Sequence, residues 1–180
     1  MRIVCLGWGS LLWKPGPLPI DDNWRGDGPL MPIEFARVGD GGELATVVCS
    51  SAPPGPVYWV PLAVTGLDDA MAALREREQI PAERSDGVGL LKTDPRRCGQ
   101  LNTWALGHGI DALIWTALPP RFQSVEHRVP SASEAVRYLQ SLEGETLAHA
   151  KEYIQRVPEE IDTPHRRVIE RELGWRSTAP

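Results

Sequence analysis

One glutamate stands where an apolar side chain would be expected. The stretch LDDAMAALREREQ predicts a helix over residues 67–79, ended by Pro81. Its apolar stripe is Leu67, Met71 and Leu74, the four-then-three spacing of a helix that faces a core. The next position on that stripe is Glu78. At about 100° per residue it lies only about 20° around the axis from Leu67, whereas Glu76 falls about 180° away and faces water. Partial burial disfavours the charged form of a carboxyl group, and the negative end of the helix dipole does the same. A carboxyl group placed in this way can give and take protons near neutral pH. The competing reading is a frayed last turn in which Glu78 pairs with Arg75 or another arginine.

The second candidate is a turn near the N-terminus. Ile3 to Leu6 reads as a buried strand, and it breaks into Gly7-Trp8-Gly9-Ser10-Leu11. Glycines directly after a strand mark a close approach of backbone to something. Exposed N–H groups at such a turn form a concave site suited to a carboxylate or phosphate, and Ser10 adds a hydroxyl. A plain tight turn would show the same residues. Three sharper motifs fail. A dinucleotide fingerprint lacks its third glycine and its following helix, since Pro15, Pro17 and Pro19 come next. A nucleophile elbow needs Ser flanked differently, and the Gly-Lys-Ser/Thr end of a phosphate loop is missing. An amide or ester hydrolase using Ser10 stays open.

Arg37 is the third candidate. Alternation in Ile33-Glu34-Phe35-Ala36-Arg37 puts Ile33, Phe35 and Arg37 on one strand face, where Arg37 could pair with Glu78 or receive an anionic substrate. An edge strand with a snorkelling arginine is the alternative. Glu34 points the other way and is expected in solvent. The four histidines, His108, His127, His149 and His165, show no paired spacing, so no metal site is expected. His165-Arg166-Arg167 puts positive charge at a helix N-terminus, which points to pairing with Glu159, Glu160 or Asp162.

These residues need elements to hold them. Strands are expected at 33–38, 44–49, 57–63 and 112–116, and helices at 67–79, 99–107 and 144–156. Ser131 to Glu134 has capping-box spacing. Thr163, Pro164 and Gly174 give the start and stop of a final helix. Residues 14–32 carry five prolines and read as an ordered loop. Strands early and helices late favour an α+β domain over alternating βαβ units. The 180 residues fit one domain, 1–180, with 130–175 a helical extension packed on it.

A net charge of −5 gives no electrostatic footprint for nucleic acid or an anionic membrane. No stretch approaches the length of a membrane-spanning helix, and the N-terminus is a poor signal peptide. Cys5, Cys49 and Cys98 have no paired spacing and read as reduced thiols of a cytoplasmic protein.

The turn and the glutamate occur in a recognisable order. The opening LGWGSLLWKPG and the later LREREQ resemble the γ-glutamyl cyclotransferase-like fold, ChaC-type members in particular, over roughly residues 1–80. The resemblance implies a small mixed β-barrel with surrounding helices and a reaction that needs no metal or cofactor. It places Glu78 on the family's acid/base glutamate, and Gly7, Trp8, Gly9, Ser10 and Leu11 on the loop that docks the substrate's α-carboxylate. The implied activity is release of 5-oxoproline from a γ-glutamyl amine or peptide, with that small-molecule substrate as the partner. Trp8 departs from the family's tyrosine, and Gln79-Ile80-Pro81 stands where glycines and an aromatic are found. Those departures also fit a non-catalytic module on the same fold, binding a small carboxylate or a protein segment.

Overall fold

The computed structural model describes residues 1–179. The chain divides into two compact units, one formed by Met1–Gly7, Leu11–Leu30 and Pro56–Leu118, the other by Trp8–Ser10, Met31–Gly55 and the residues from Pro119 onward.

The first unit is built on β1 (Ile3–Gly7), whose five residues are all buried. It lies between β5 (Tyr58–Pro61), antiparallel, and β7 (Ala112–Thr116), parallel, and β6 (Val88–Lys92) completes the order β5-β1-β7-β6. An uninterrupted apolar run is what a central strand covered on both faces requires. Helix α1 (Leu67–Glu78) packs against β6 and β7, and α2 (Gln100–Gly107) precedes β7. Ala70 and Leu74 of α1 are fully buried with Cys5, Leu11, Val60 and Ile114 in one core. The proline-rich loop covers the outer edge of β5, where Arg25 and Trp59 exchange backbone hydrogen bonds of 2.9 and 3.0 Å. An otherwise open edge is thereby closed to other strands.

The second unit holds β2 (Leu30–Val38), β3 (Leu44–Val48), β4 (Pro54–Pro56), β8 (Arg121–Phe122) and β9 (Val125–Glu126). The path is β3-β2-β8-β9, with β4 also paired to β2. Its helices are α3 (Ala132–Gln140), α4 (Gly144–Arg156) and α5 (Pro164–Leu173), so the helices of 130–175 share a unit with β2 and β3. Both halves of the Ser131–Glu134 capping box form, and Thr163 caps α5 through the Arg166 N–H. Gly174 ends α5 in the left-handed conformation. The protein is thus mixed α+β with two mixed sheets and five helices. Among the described residues neither sheet closes into the small barrel that the resemblance implies. No helix among them is long and apolar enough to cross a membrane.

Strand β2 departs from simple alternation. Phe35 faces Thr46 and Arg37 faces Ala45, so Ala36 is an extra residue, a bulge. Phe35 and Ala36 are therefore both fully buried, and the expected face of Ile33, Phe35 and Arg37 is broken after Phe35. Glu34 is not in solvent as alternation suggested but 3% exposed. Its carboxylate accepts the His165 N–H at 3.2 and 3.3 Å and the Phe35 N–H at 2.8 Å. The first turn of α5 has free N–H groups and the positive end of a dipole, which stabilise a buried carboxylate there. The basic cluster finds one acid as expected, Asp162, 2.6 Å from Arg167.

The end of α1 is closed by a Schellman arrangement. The Gln79 N–H bonds to the Glu76 carbonyl (3.2 Å) and the Ile80 N–H to the Arg75 carbonyl (2.9 Å), while Gln79 takes φ 53°. Glycine favours that conformation and glutamine does not. Gln79→Gly is expected to stabilise the protein by about 1 kcal/mol, read from chemical denaturation at unchanged m-value.

Candidate active site

The predicted stripe of α1 holds, with Leu74 buried and Leu67 and Met71 half-buried, and Glu76 is exposed as expected. Glu78 follows Leu74 by one turn, and its side chain is only 16% exposed. Burial raises its pKa above the ordinary carboxylate range, and the Arg77 guanidinium partly opposes that rise. The last turn is ordered rather than frayed, but Glu78 does pair with another arginine, Arg77, as the competing reading expects. Arg77 Nη1 donates to Glu78 Oε1 at 3.2 Å, and Arg77 Nε donates to the Lys14 carbonyl at 2.7 Å. The loop that follows the glycine turn is therefore tied directly to the end of the helix.

Cys5 of β1 lies within the field of both groups. Burial, and then the Glu78 charge, push its thiol pKa far up, and Arg77 opposes them. A thiol held protonated in this way is no nucleophile at neutral pH. The helix end thus presents one dry carboxyl group, one guanidinium and an inert thiol. Such a set can accept a proton from an amine and return it to a leaving nitrogen.

Gly7 and Leu11 of the glycine turn belong to the first unit. Gly7 ends β1 beneath Trp24, where a Cβ would stand 2.7 Å from the indole ring, and Leu11 is buried in the core of the first unit. Trp8, Gly9 and Ser10 belong to the second unit. Trp8 is 4% exposed, its Nε1 donates to the Thr46 carbonyl at 3.2 Å, and Thr46 Oγ1 donates back to the Trp8 carbonyl at 3.3 Å. The Tyr153 hydroxyl accepts the Thr46 N–H (3.3 Å) and lies 3.0 Å from Thr46 Oγ1. A Cβ on Gly9 would meet that hydroxyl at 2.5 Å and Thr46 Oγ1 at 2.7 Å. What comes close at Gly9 is therefore a phenol from α4. Neither Tyr153 nor Thr46 was singled out from sequence. The available signal was a tyrosine beside Ala150 and Ile154 on the buried stripe of α4, a polar tip aimed into a core.

Arg37, with 11% of its side chain exposed, is fully engaged. Nη1 donates to the Pro119 carbonyl at 2.7 Å, and Nη1 and Nη2 reach the two Glu126 oxygens at 3.1 and 3.3 Å. A bidentate carboxylate partner explains the arginine without any bound anion. No group of three or more His, Cys, Asp or Glu among the described residues could hold a metal ion.

What fold and site define is a mixed α+β protein carrying a desolvated carboxyl group at a helix end. Among known proteins no family model and no curated protein matches the chain.

Two predictions follow from this geometry. Since the folded pKa of Glu78 lies above its unfolded value, the native state holds the extra proton between the two. That contribution to stability is whole below the ordinary carboxylate range and is lost as pH rises through the raised pKa. Glu78→Gln is thus expected to be more stable than the parent at pH 7–8 and equal to it at the acid end, measured by urea melts across pH. At the turn, Gly9→Ala should cost about 1–3 kcal/mol through overpacking. Combined with Tyr153→Phe, the total should fall short of the sum of the two single losses by at least about 0.5 kcal/mol.

Proposed function

We propose that the protein is a general acid/base catalyst of an intramolecular acyl transfer, working without a covalent intermediate. The particular activity is that of a γ-glutamyl cyclotransferase-like enzyme. The observation that carries this reading is the Glu78 carboxyl group, dried and pushed up in pKa at the end of α1. The Arg77–Lys14 bond, which ties that helix end to the loop just after the turn, supports it. The resemblance of the two motifs in the same chain order supplies the substrate class.

In this reading, backbone N–H groups of the Gly7–Leu11 turn receive the α-carboxylate of a γ-glutamyl compound. Glu78 takes a proton from the substrate's α-amine as that nitrogen attacks its own γ-carbonyl carbon. The new N–C bond closes the five-membered ring, and the original bond from the γ-carbon to the leaving nitrogen breaks. Glu78 returns the proton to that nitrogen, so the products are 5-oxoproline and a free amine. Nucleophile and electrophile share one molecule, so holding the reactive conformer supplies much of the rate and one proton shuttle suffices. The three cysteines are free, which fits a reducing cytoplasm.

A second reading keeps the scaffold as a binding module without turnover. It is favoured by the bonds that already occupy Trp8 and Arg37, two of the expected substrate-binding residues. The two readings separate in one assay. A panel of γ-glutamyl amino acids, amines and peptides is expected to yield 5-oxoproline, and Glu78→Gln to lower kcat by roughly 100-fold or more with little change in KM. No 5-oxoproline from any member overturns the catalytic reading. Ligand binding that survives Glu78→Gln would then support the module.

A further inference from the structure

We infer that Arg77, anchored on the Lys14 carbonyl, is the positioning residue of Glu78. The consequence for turnover rests on the proposed function, whereas the positioning itself does not.

Neighbours in a helix point about 100° apart and do not pair by default. For Arg77 Nη1 to reach Glu78 Oε1 at 3.2 Å, the arginine must curl back across the helix end and be held there. The hold is the 2.7 Å bond from its Nε to the Lys14 carbonyl. With 13% of its side chain exposed, the guanidinium is screened little by solvent and acts strongly on its neighbour.

The loop is shaped for this contact. Gly16 sits at φ 59°, and a Cβ there would stand 3.2 Å from Arg77 Cδ, so glycine lets the loop lie against the arginine stem without backbone strain or a shift of that stem. Pro15 and Pro17 flank that glycine, and the Leu18 N–H closes a turn onto the Pro15 carbonyl at 3.2 Å. Proline limits the loop's freedom to drift, so the Lys14 carbonyl is a fixed anchor. The charge acting on Glu78 is that of Arg77 from its own helix, while the Cys5 thiol of β1, which feels the Glu78 charge, stays neutral. The Lys14 side chain is exposed, and only its carbonyl takes part. One rigidly held cation sets the direction of the carboxyl group and opposes the effect of burial on its hold on a proton. An arginine suits this task because its fixed fork serves two acceptors at once, which a lysine ammonium on a flexible stem does not reproduce.

The test follows the Glu78 carboxyl carbon by NMR across pH in the full chain, with Arg77→Met, Arg77→Lys and Gly16→Ala. Arg77→Met is expected to move the Glu78 midpoint up. Arg77→Lys should move it less, since charge remains while the anchor is lost. Gly16→Ala, which pushes the arginine stem aside, should move it in the same direction as Arg77→Met. An unchanged midpoint in a folded Arg77→Met variant overturns the inference. Should that variant not fold, an unchanged midpoint in both Arg77→Lys and Gly16→Ala does so. With a γ-glutamyl substrate, the acid limb of the kcat/KM profile should shift to higher pH in Arg77→Met, and plateau kcat should fall about tenfold. A merely structural arginine would lower the rate at every pH without moving the limb. Absence of turnover in the parent would refute the proposed function and leave the NMR result standing. Turnover that depends on Glu78, beside an unmoved midpoint, would refute the positioning role alone.

Discussion

A carboxyl group taken out of water, offset among the described residues by one cation, is the constraint on which the end of α1 depends. Desolvating a charge costs several kcal/mol unless partners replace the lost water. Here the replacement is incomplete, as the raised pKa of Glu78 records. The surrounding features all bear on that one group. The Schellman turn stops α1 at the residue after it, Arg77 faces it, and the Lys14 carbonyl holds Arg77. An arrangement that costs stability and yet draws several elements together is the observation on which the proposed function rests.

The buried polar groups of the second unit make the contrast. Glu34 is drier than Glu78, but it accepts the His165 N–H at a helix N-terminus and the Phe35 N–H of its own strand, so its charge is compensated in place. Arg37 has a bidentate carboxylate and a carbonyl. Thr46 serves Trp8 and Tyr153 together. Arg166 comes nearest to an exception. Two of its nitrogens make no hydrogen bond, and burial lowers its pKa. Its charge rests on Glu170 at 3.6 Å and on the face of Phe35 at 5.4 Å, with Val157 accepting the third nitrogen. Both neighbours lie within the packed body of its own unit, so this cation reads as a brace. Polar groups satisfied in this way specify the fold, whereas burial outweighs the single arginine beside Glu78 and leaves its pKa raised.

The local parts of this arrangement were legible in the sequence. The stop of α1, its apolar stripe, the caps of α3 and α5 and the proline-rich loop all announce themselves within a few residues, through periodicity or turn chemistry. Glu78 was legible for the same reason, as a stripe position with the wrong residue. What stayed hidden depends on partners far along the chain. The bulge at Ala36 invalidates period-two reasoning for Arg37, and nothing in residues 30–38 marks it. Glu34 is buried because a helix N-terminus 131 residues later arrives to meet it. Gly9 is glycine because of a tyrosine from α4, a contact no turn signature contains. β6 was missed because VGLLK is short and half-exposed, and its pairing to β7 makes it a strand. The open sheets differ from the implied barrel for a related reason, since strand order and closure are set by long-range pairing.

The residues after Glu78 show how a site can keep its acid while its surroundings diverge. A helix that ends in a Schellman turn normally relies on glycine to enter the left-handed conformation, yet Gln79 occupies that position here. The turn survives because Ile80, 6% exposed, is locked in the core against Gly87, where a Cβ would stand 2.4 Å from the isoleucine. Apolar burial of one side chain of this size, worth about 1.5–3 kcal/mol, exceeds the strain of a single left-handed residue. The direction in which the chain leaves α1 is therefore fixed by Ile80 and not by the identity of residue 79. Gln79, exposed and one residue from the acid, can then vary without moving Glu78. At this helix end the buried carboxyl group and the side chain beside it are mechanically separate, so residue 79 can change while Glu78 stays in register.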